Sequence, residues 1–147
     1  MRKIILGLLL SLNLFGASSF FTLDNVKNLS FYYAGKNDFI SKTQSKEIKA
    51  HVIEKLTKAG FIFGETDALI LVVKINSMRV DATYVINVEV SLDEDVVTNR
   101  EGNVEAFALT YLDAKMIKST APYKDAIQTL DLLVDKFIAL HKDDNEE

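Results

Sequence analysis

Two runs rich in valine and isoleucine, Ala68 to Met78 and Ala82 to Leu92, are separated only by Arg79-Val80-Asp81. No other feature of the chain restricts its fold as strongly. In the second run Tyr84, Ile86, Val88, Val90 and Leu92 share one parity, and Thr83, Asn87, Glu89 and Ser91 share the other. That period of two belongs to a strand with one buried side. In the first run Leu71, Val73 and Ile75 alternate with Val72, Lys74 and Asn76. The short link makes the pair an antiparallel hairpin.

The remaining elements arrange themselves around this hairpin. Leu29-Ser-Phe-Tyr-Tyr33 reads as a short strand, ended by the turn cluster Ala34-Gly35-Lys36-Asn37. Ser41 with Gln44 three residues on is a capping-box pattern. Ile48, Val52, Leu56 and Ala59 then recur at helical spacing, and Gly60 closes the helix. A fourth strand is expected over Val104 to Tyr111, after the turn-forming run Thr98 to Asn103. The last helix is expected to start near Ser119 or Thr120, with Pro122 in its first turn and Ile127, Leu130, Val134, Phe137 and Ile138 as its apolar stripe. The expectation is an α+β fold in the order β-α-β-β-β-α: a four-stranded, mostly antiparallel sheet with both helices on one face. Residues 19–142 form one domain in this reading, and 143–147 a disordered acidic tail.

The chain opens with Met1-Arg2-Lys3, an uncharged apolar run from Ile4 to Phe15, and then Gly16-Ala17-Ser18-Ser19. A basic start, an apolar core and small residues together match a secretory signal peptide, taken as residues 1–18. Cleavage is placed in the region Ala17, Ser18 and Ser19, where small side chains meet the requirements of the cut. The other reading is an uncleaved anchor, because no charge occurs from Ile4 to Leu23. Both readings export the body, to a bacterial periplasm. Without Arg2 and Lys3 the net charge falls from -4 to -6.

Composition removes several chemistries. The chain is 48% hydrophobic and has a single proline, which excludes disordered and collagen-like polymers. It has no cysteine, so disulfides, thiolate metal sites, cysteine nucleophiles and lipid attachment at a lipobox are excluded. Its acidic balance argues against nucleic acid. His51 and His141 accompany no nucleophile motif, so no catalytic residue, and no cofactor, is assigned. Asp93-Glu94-Asp95 lacks the spacing of a calcium loop and reads as a charged strand end, not a metal site. Lys42, Lys46, Lys49, Lys55 and Lys58 are interrupted by Glu47 and Glu54 and read as a solvated helix face.

The fourth strand carries the functional signal. Val104, Ala106, Ala108 and Thr110 are small enough to lie under helices, whereas Glu105, Phe107, Leu109 and Tyr111 share the other parity. With helices on one side only, Phe107, Leu109 and Tyr111 form an apolar, aromatic patch, extended by Val85 on the neighbouring strand. Phe31 adds a further contact if the first strand leaves a sheet edge open to a partner strand. In the opposing reading the lead-in Phe20 to Val26 folds over this patch.

Behind its export signal, this order of elements resembles small bacterial envelope accessory proteins of the lipopolysaccharide-assembly LptE type and ABC-transport auxiliary lipoproteins. Leu56-Thr-Lys-Ala-Gly60, Asp67 to Lys74, Tyr84 to Val90 and the helix from Tyr123 to His141 carry the resemblance. Those relatives are anchored through a cysteine that this chain lacks, so lipid anchoring is not implied. The expected function is that of a non-enzymatic periplasmic accessory protein binding an envelope complex through its sheet face or edge, with a small-ligand or lipid carrier as the alternative. Weak homo-oligomer formation is expected through the same surface, and membrane contact only through a retained signal.

Overall fold

The computed structural model describes residues 21–64 and 69–146. The expected signal segment 1–18 and the expected cleavage region at Ala17, Ser18 and Ser19 lie outside them, as does Phe20. The described residues form an α+β domain: β1 (Asn28–Ala34), α1 (Lys42–Lys58), β2 (Ile62–Phe63), β3 (Leu69–Val80), β4 (Thr83–Val97), β5 (Glu105–Ser119) and α2 (Pro122–Asn145).

The sheet has five strands in the order β2-β1-β3-β4-β5, not the four expected. β3, β4 and β5 form the antiparallel meander, and Val80 pairs with Thr83 at the tip of the hairpin. β1, however, runs parallel to β3, from Leu29 opposite Leu69 to Ala34 opposite Lys74. The chain crosses between them through α1, the kind of connection that parallel neighbours require. β2 pairs with β1 only at Asn28 and Leu29, too short a run to leave a pattern in the sequence. β1 is therefore not the terminal strand, although among the described residues Ser30 to Ala34 have a strand partner on one side alone.

The turn after β1 is held hard against β3. Gly35 sits at φ 140°, and a Cβ there would overlap the Ile75 carbonyl. Only glycine fits both the conformation and the approach. The Lys36 amide donates to Asn76 Oδ1 at 2.8 Å, and the Ser77 amide donates to the Lys36 carbonyl at 2.9 Å.

Both helices lie on one face of the sheet. Ile48, Val52 and Leu56 of α1 and Ala126, Leu130, Leu133, Val134 and Phe137 of α2 join Leu29, Leu71, Val73, Ile75, Ile86, Val88, Val90 and Leu92 in one buried core. The α1 cap forms as expected: the Gln44 amide donates to Ser41 Oγ at 3.2 Å, and the Ser41 amide donates to Gln44 Oε1 at 2.9 Å. α2 starts at Pro122, whose missing N–H costs nothing in the first turn. Across the helix pair, His51 and Lys55 converge on Asp131, and Lys55 also reaches Asp135. Burial raises the Asp131 pKa, but hydrogen bonds and charge from His51 and Lys55 outweigh it and hold the carboxyl below its usual range.

The expected tail is structured as far as Asn145. Residues 143–145 complete the last turn of α2, where the side chains of Asp144 and Asn145 fasten the lead-in. The Leu23 amide donates to Asp144 Oδ2 at 2.6 Å, Asn145 Nδ2 donates to the Leu23 carbonyl at 3.0 Å, and the Asn25 amide donates to Asn145 Oδ1 at 2.9 Å. His141 Nε2 lies 2.7 Å from the Val26 carbonyl, which requires the proton on that nitrogen. Leu23 and Val26 are thereby drawn into the core on the helix side of the sheet.

Candidate functional site

The face opposite the helices can be mapped from the strand register. Residues on it stand in rows that cross the sheet. One row is Ser30, Ile70, Asp93 and Leu109; the next is Tyr32, Val72, Ser91 and Leu112; the next is Ala34, Lys74, Glu89 and Ala114. Toward the β3–β4 turn follow Asn76, Asn87 and Met116, then Met78, Val85 and Lys118. At the opposite end Asp95 stands across from Phe107, and Val97 across from Glu105.

No described helix covers this face, and the large apolar side chains on it are exposed. Tyr32 is 60% exposed, Phe107 61% and Met116 69%; Met78, Leu109 and Leu112 are exposed as well. Solvated apolar groups are common on proteins, but so many on one sheet face form a patch of the sort that marks an interface. A polar belt divides it. Lys74 Nζ meets Glu89 Oε1 at 3.3 Å, beside Asn76 and Asn87. Tyr32, Ile70, Val72, Leu112, Leu109 and Phe107 lie on one side of the belt, and Met78, Val85 and Met116 on the other.

The expected site divides between the two faces. Phe107, Leu109 and Val85 belong to the open face. Tyr111 does not: it is 4% exposed and stands in the core, 5.1 Å from the Phe137 ring centroid and 5.8 Å from that of Phe21. A β-bulge is responsible. Leu92 pairs with Tyr111, but the next residue, Asp93, pairs with Leu109, so Thr110 is the extra residue of β5. One additional residue exchanges the faces of everything beyond it. Burial, helped by the nearby Asp113 charge, pushes the Tyr111 pKa up to about 12.

Phe31 also leaves the expected site. It pairs with Leu71 on the helix side and packs against the core, with Lys49 Nζ 5.9 Å from its ring centroid. The expected fourth strand, 104–111, extends as β5 to Ser119. Because the strand continues past the bulge, Leu112 and Met116 reach the open face, two positions that alternation along the sequence does not reveal. Their parity makes sense only once the extra residue at Thr110 is known. Tyr32 and Met78 are legible in principle, since each has the opposite parity to the core residues of its own strand, Leu29 in β1 and Leu71, Val73 and Ile75 in β3.

The described part of the lead-in, residues 21–26, does not fold over the patch. It packs between α2 and the end of the sheet, where Phe21, Thr22, Val26, Glu94, Leu109 and Thr110 line an open groove of about 550 Å³. The histidines stand apart from one another: His51 is an exposed partner of Asp131, and His141 holds the lead-in backbone. Asp93 and Asp95 share the open face, while Glu94 between them has the other parity. Asp93 accepts a hydrogen bond from Ser91 Oγ at 3.2 Å. Among the described residues no three histidine or acidic side chains converge as a metal site, and no helix is long and apolar enough to cross a membrane.

The chain matches no protein-family model and no curated protein sequence.

Proposed function

We propose that this protein is a non-enzymatic accessory protein of the bacterial envelope, exported by residues 1–18, which binds an envelope complex through its open sheet face. The observation that carries the reading is the exposure of Tyr32, Phe107, Leu109, Leu112 and Met116 on one face of a sheet whose other face is filled. A rigid sheet presents such side chains with little ordering cost on binding, which favours recognition of a partner surface. The basic-apolar-small leader supports export, and the order of elements resembles envelope accessory domains. The carrier reading has less support, because the space between helices and sheet is occupied by Leu71, Val73, Val88, Val90, Leu133 and Phe137.

The test is co-purification from a chemically cross-linked envelope fraction. Phe107→Asp and Leu112→Asp, each a charge placed on the open face, should abolish recovery of partners seen with the parent. Leu132→Asp, an exposed position on α2, should leave recovery unchanged. Equal recovery by all three variants removes the sheet-face reading. The mass of the protein from the periplasm, expected to start at Ser19 or Phe20, tests the export claim separately.

A further inference from the structure

From the charge pattern around the apolar patch we infer the chemistry of its partner: a polypeptide segment that sets lysine or arginine beside apolar side chains. This rests on the open face being the binding surface. Three successive cross-strand pairs at the β4–β5 end each set one apolar group opposite one carboxylate: Asp93 and Leu109, Asp95 and Phe107, Glu105 and Val97. Phe107, Leu109 and Val97 are all exposed. Alternate residues of a strand are about 6.8 Å apart, so these carboxylates border the patch at side-chain spacing.

None of the three carboxylates has a cationic partner among the described residues. The contrast with Glu89 is informative. That carboxylate, on the same face, is neutralised by Lys74 directly across the ladder. The acidic end is thus the part of the face left electrostatically unmatched. A cationic, apolar segment would cover Phe107 and Leu109 while its charges met Asp93, Asp95 and Glu105, and such complementarity also steers encounter.

The same charges disfavour the other occupants. Anionic lipid headgroups are repelled by three carboxylates. A second copy laid parallel on this face would set these acids against their own copies. One laid antiparallel would offer the three acids a single cation, Lys118, the one cation among the described face residues beyond the Lys74–Glu89 pair, and so leave two of them unmatched.

The experiment is an amide-shift titration of the exported domain, from Ser19 to Glu147, with a short peptide alternating leucine and lysine. Shifts should be confined to 93–97 and 105–112. Affinity should fall roughly tenfold in Asp93→Asn/Asp95→Asn/Glu105→Gln, and comparably in Phe107→Ser/Leu109→Ser, as expected when several modest interactions are removed together. Glu47→Gln/Asp143→Asn/Glu146→Gln, which removes as much charge elsewhere, should bind as the parent does. Equal binding by the first and last variants, or equal binding of a leucine–glutamate peptide, overturns the inference. So does anionic-vesicle binding that depends on Phe107, or a dimer that buries it. If cross-links from position 107 reach a partner segment without lysine or arginine, the proposed function stands and this inference falls.

Discussion

Leu109 and Tyr111, two residues apart on one strand, face opposite sides of the sheet because Thr110 has no partner opposite it. Leu109 is exposed and Tyr111 is among the core aromatics. Tyr111→Ala should therefore destabilise the domain by about 3–5 kcal/mol, the usual cost of emptying an aromatic core site. Leu109→Ala should change stability by under about 1 kcal/mol. Urea unfolding monitored by circular dichroism separates the two outcomes, and equal costs would contradict the bulge.

The same burial sets an alkaline limit. Burial pushes the Tyr111 pKa up to about 12 in the folded chain, against about 10 unfolded, so its stabilising effect is complete below about pH 10. It is lost as the pH rises from about 10 to about 12, by about 2–3 kcal/mol in total. Absorbance of tyrosinate should show Tyr111 ionising last or together with unfolding. Ionisation of every tyrosine near pH 10 with the fold intact would contradict its placement.

Truncation after Lys142 should be costly, although composition marks the removed residues as tail. It deletes Asp144 and Asn145, which hold Leu23 and Asn25. A charge-assisted bond to a backbone amide contributes about 1.5–3 kcal/mol, and its loss also loosens Leu23 in the core. Hydrogen exchange at the Leu23 amide should accelerate in Asp144→Asn and more so in the truncated chain. Unchanged exchange would show that the lead-in is held otherwise.

Gly35→Ala should prevent correct packing of the β1 turn, at a cost of about 3 kcal/mol or more, since it combines a positive φ with overlap at Ile75. Gly102→Ala is the comparison: its φ is also positive, but no atom lies within 4 Å of the added Cβ. Thermal melts should place Gly35→Ala well below Gly102→Ala.

Much of this architecture is legible in the chain. The hairpin, the capped α1 and the stripe of α2 are each written in a local period, which residues such as Ile86, Ser41 and Phe137 satisfy without help from elsewhere. The parallel pairing of β1 and the two-residue β2 are not, because register between distant strands leaves no local signature. The candidate site is half legible for the same reason. Phe107 and Leu109 follow from alternation, but alternation also assigns Tyr111 to the open face, and a single unpaired residue reverses that. The charges of Asp143, Asp144 and Glu146 read as solvent-facing until the long-range bond from Leu23 to Asp144 is known.

The central claim, that the open face is the binding surface, is tested most directly by placing a photo-activated cross-linker at successive exposed positions in cells. Adducts to an envelope partner should form from 107, 109, 112 and 116, on the open face, and not from 132 on α2. The step of three between 109 and 112 would trace the bulge itself. Adducts from 132 with none from the β5 positions would place the partner on the helix layer and contradict the account.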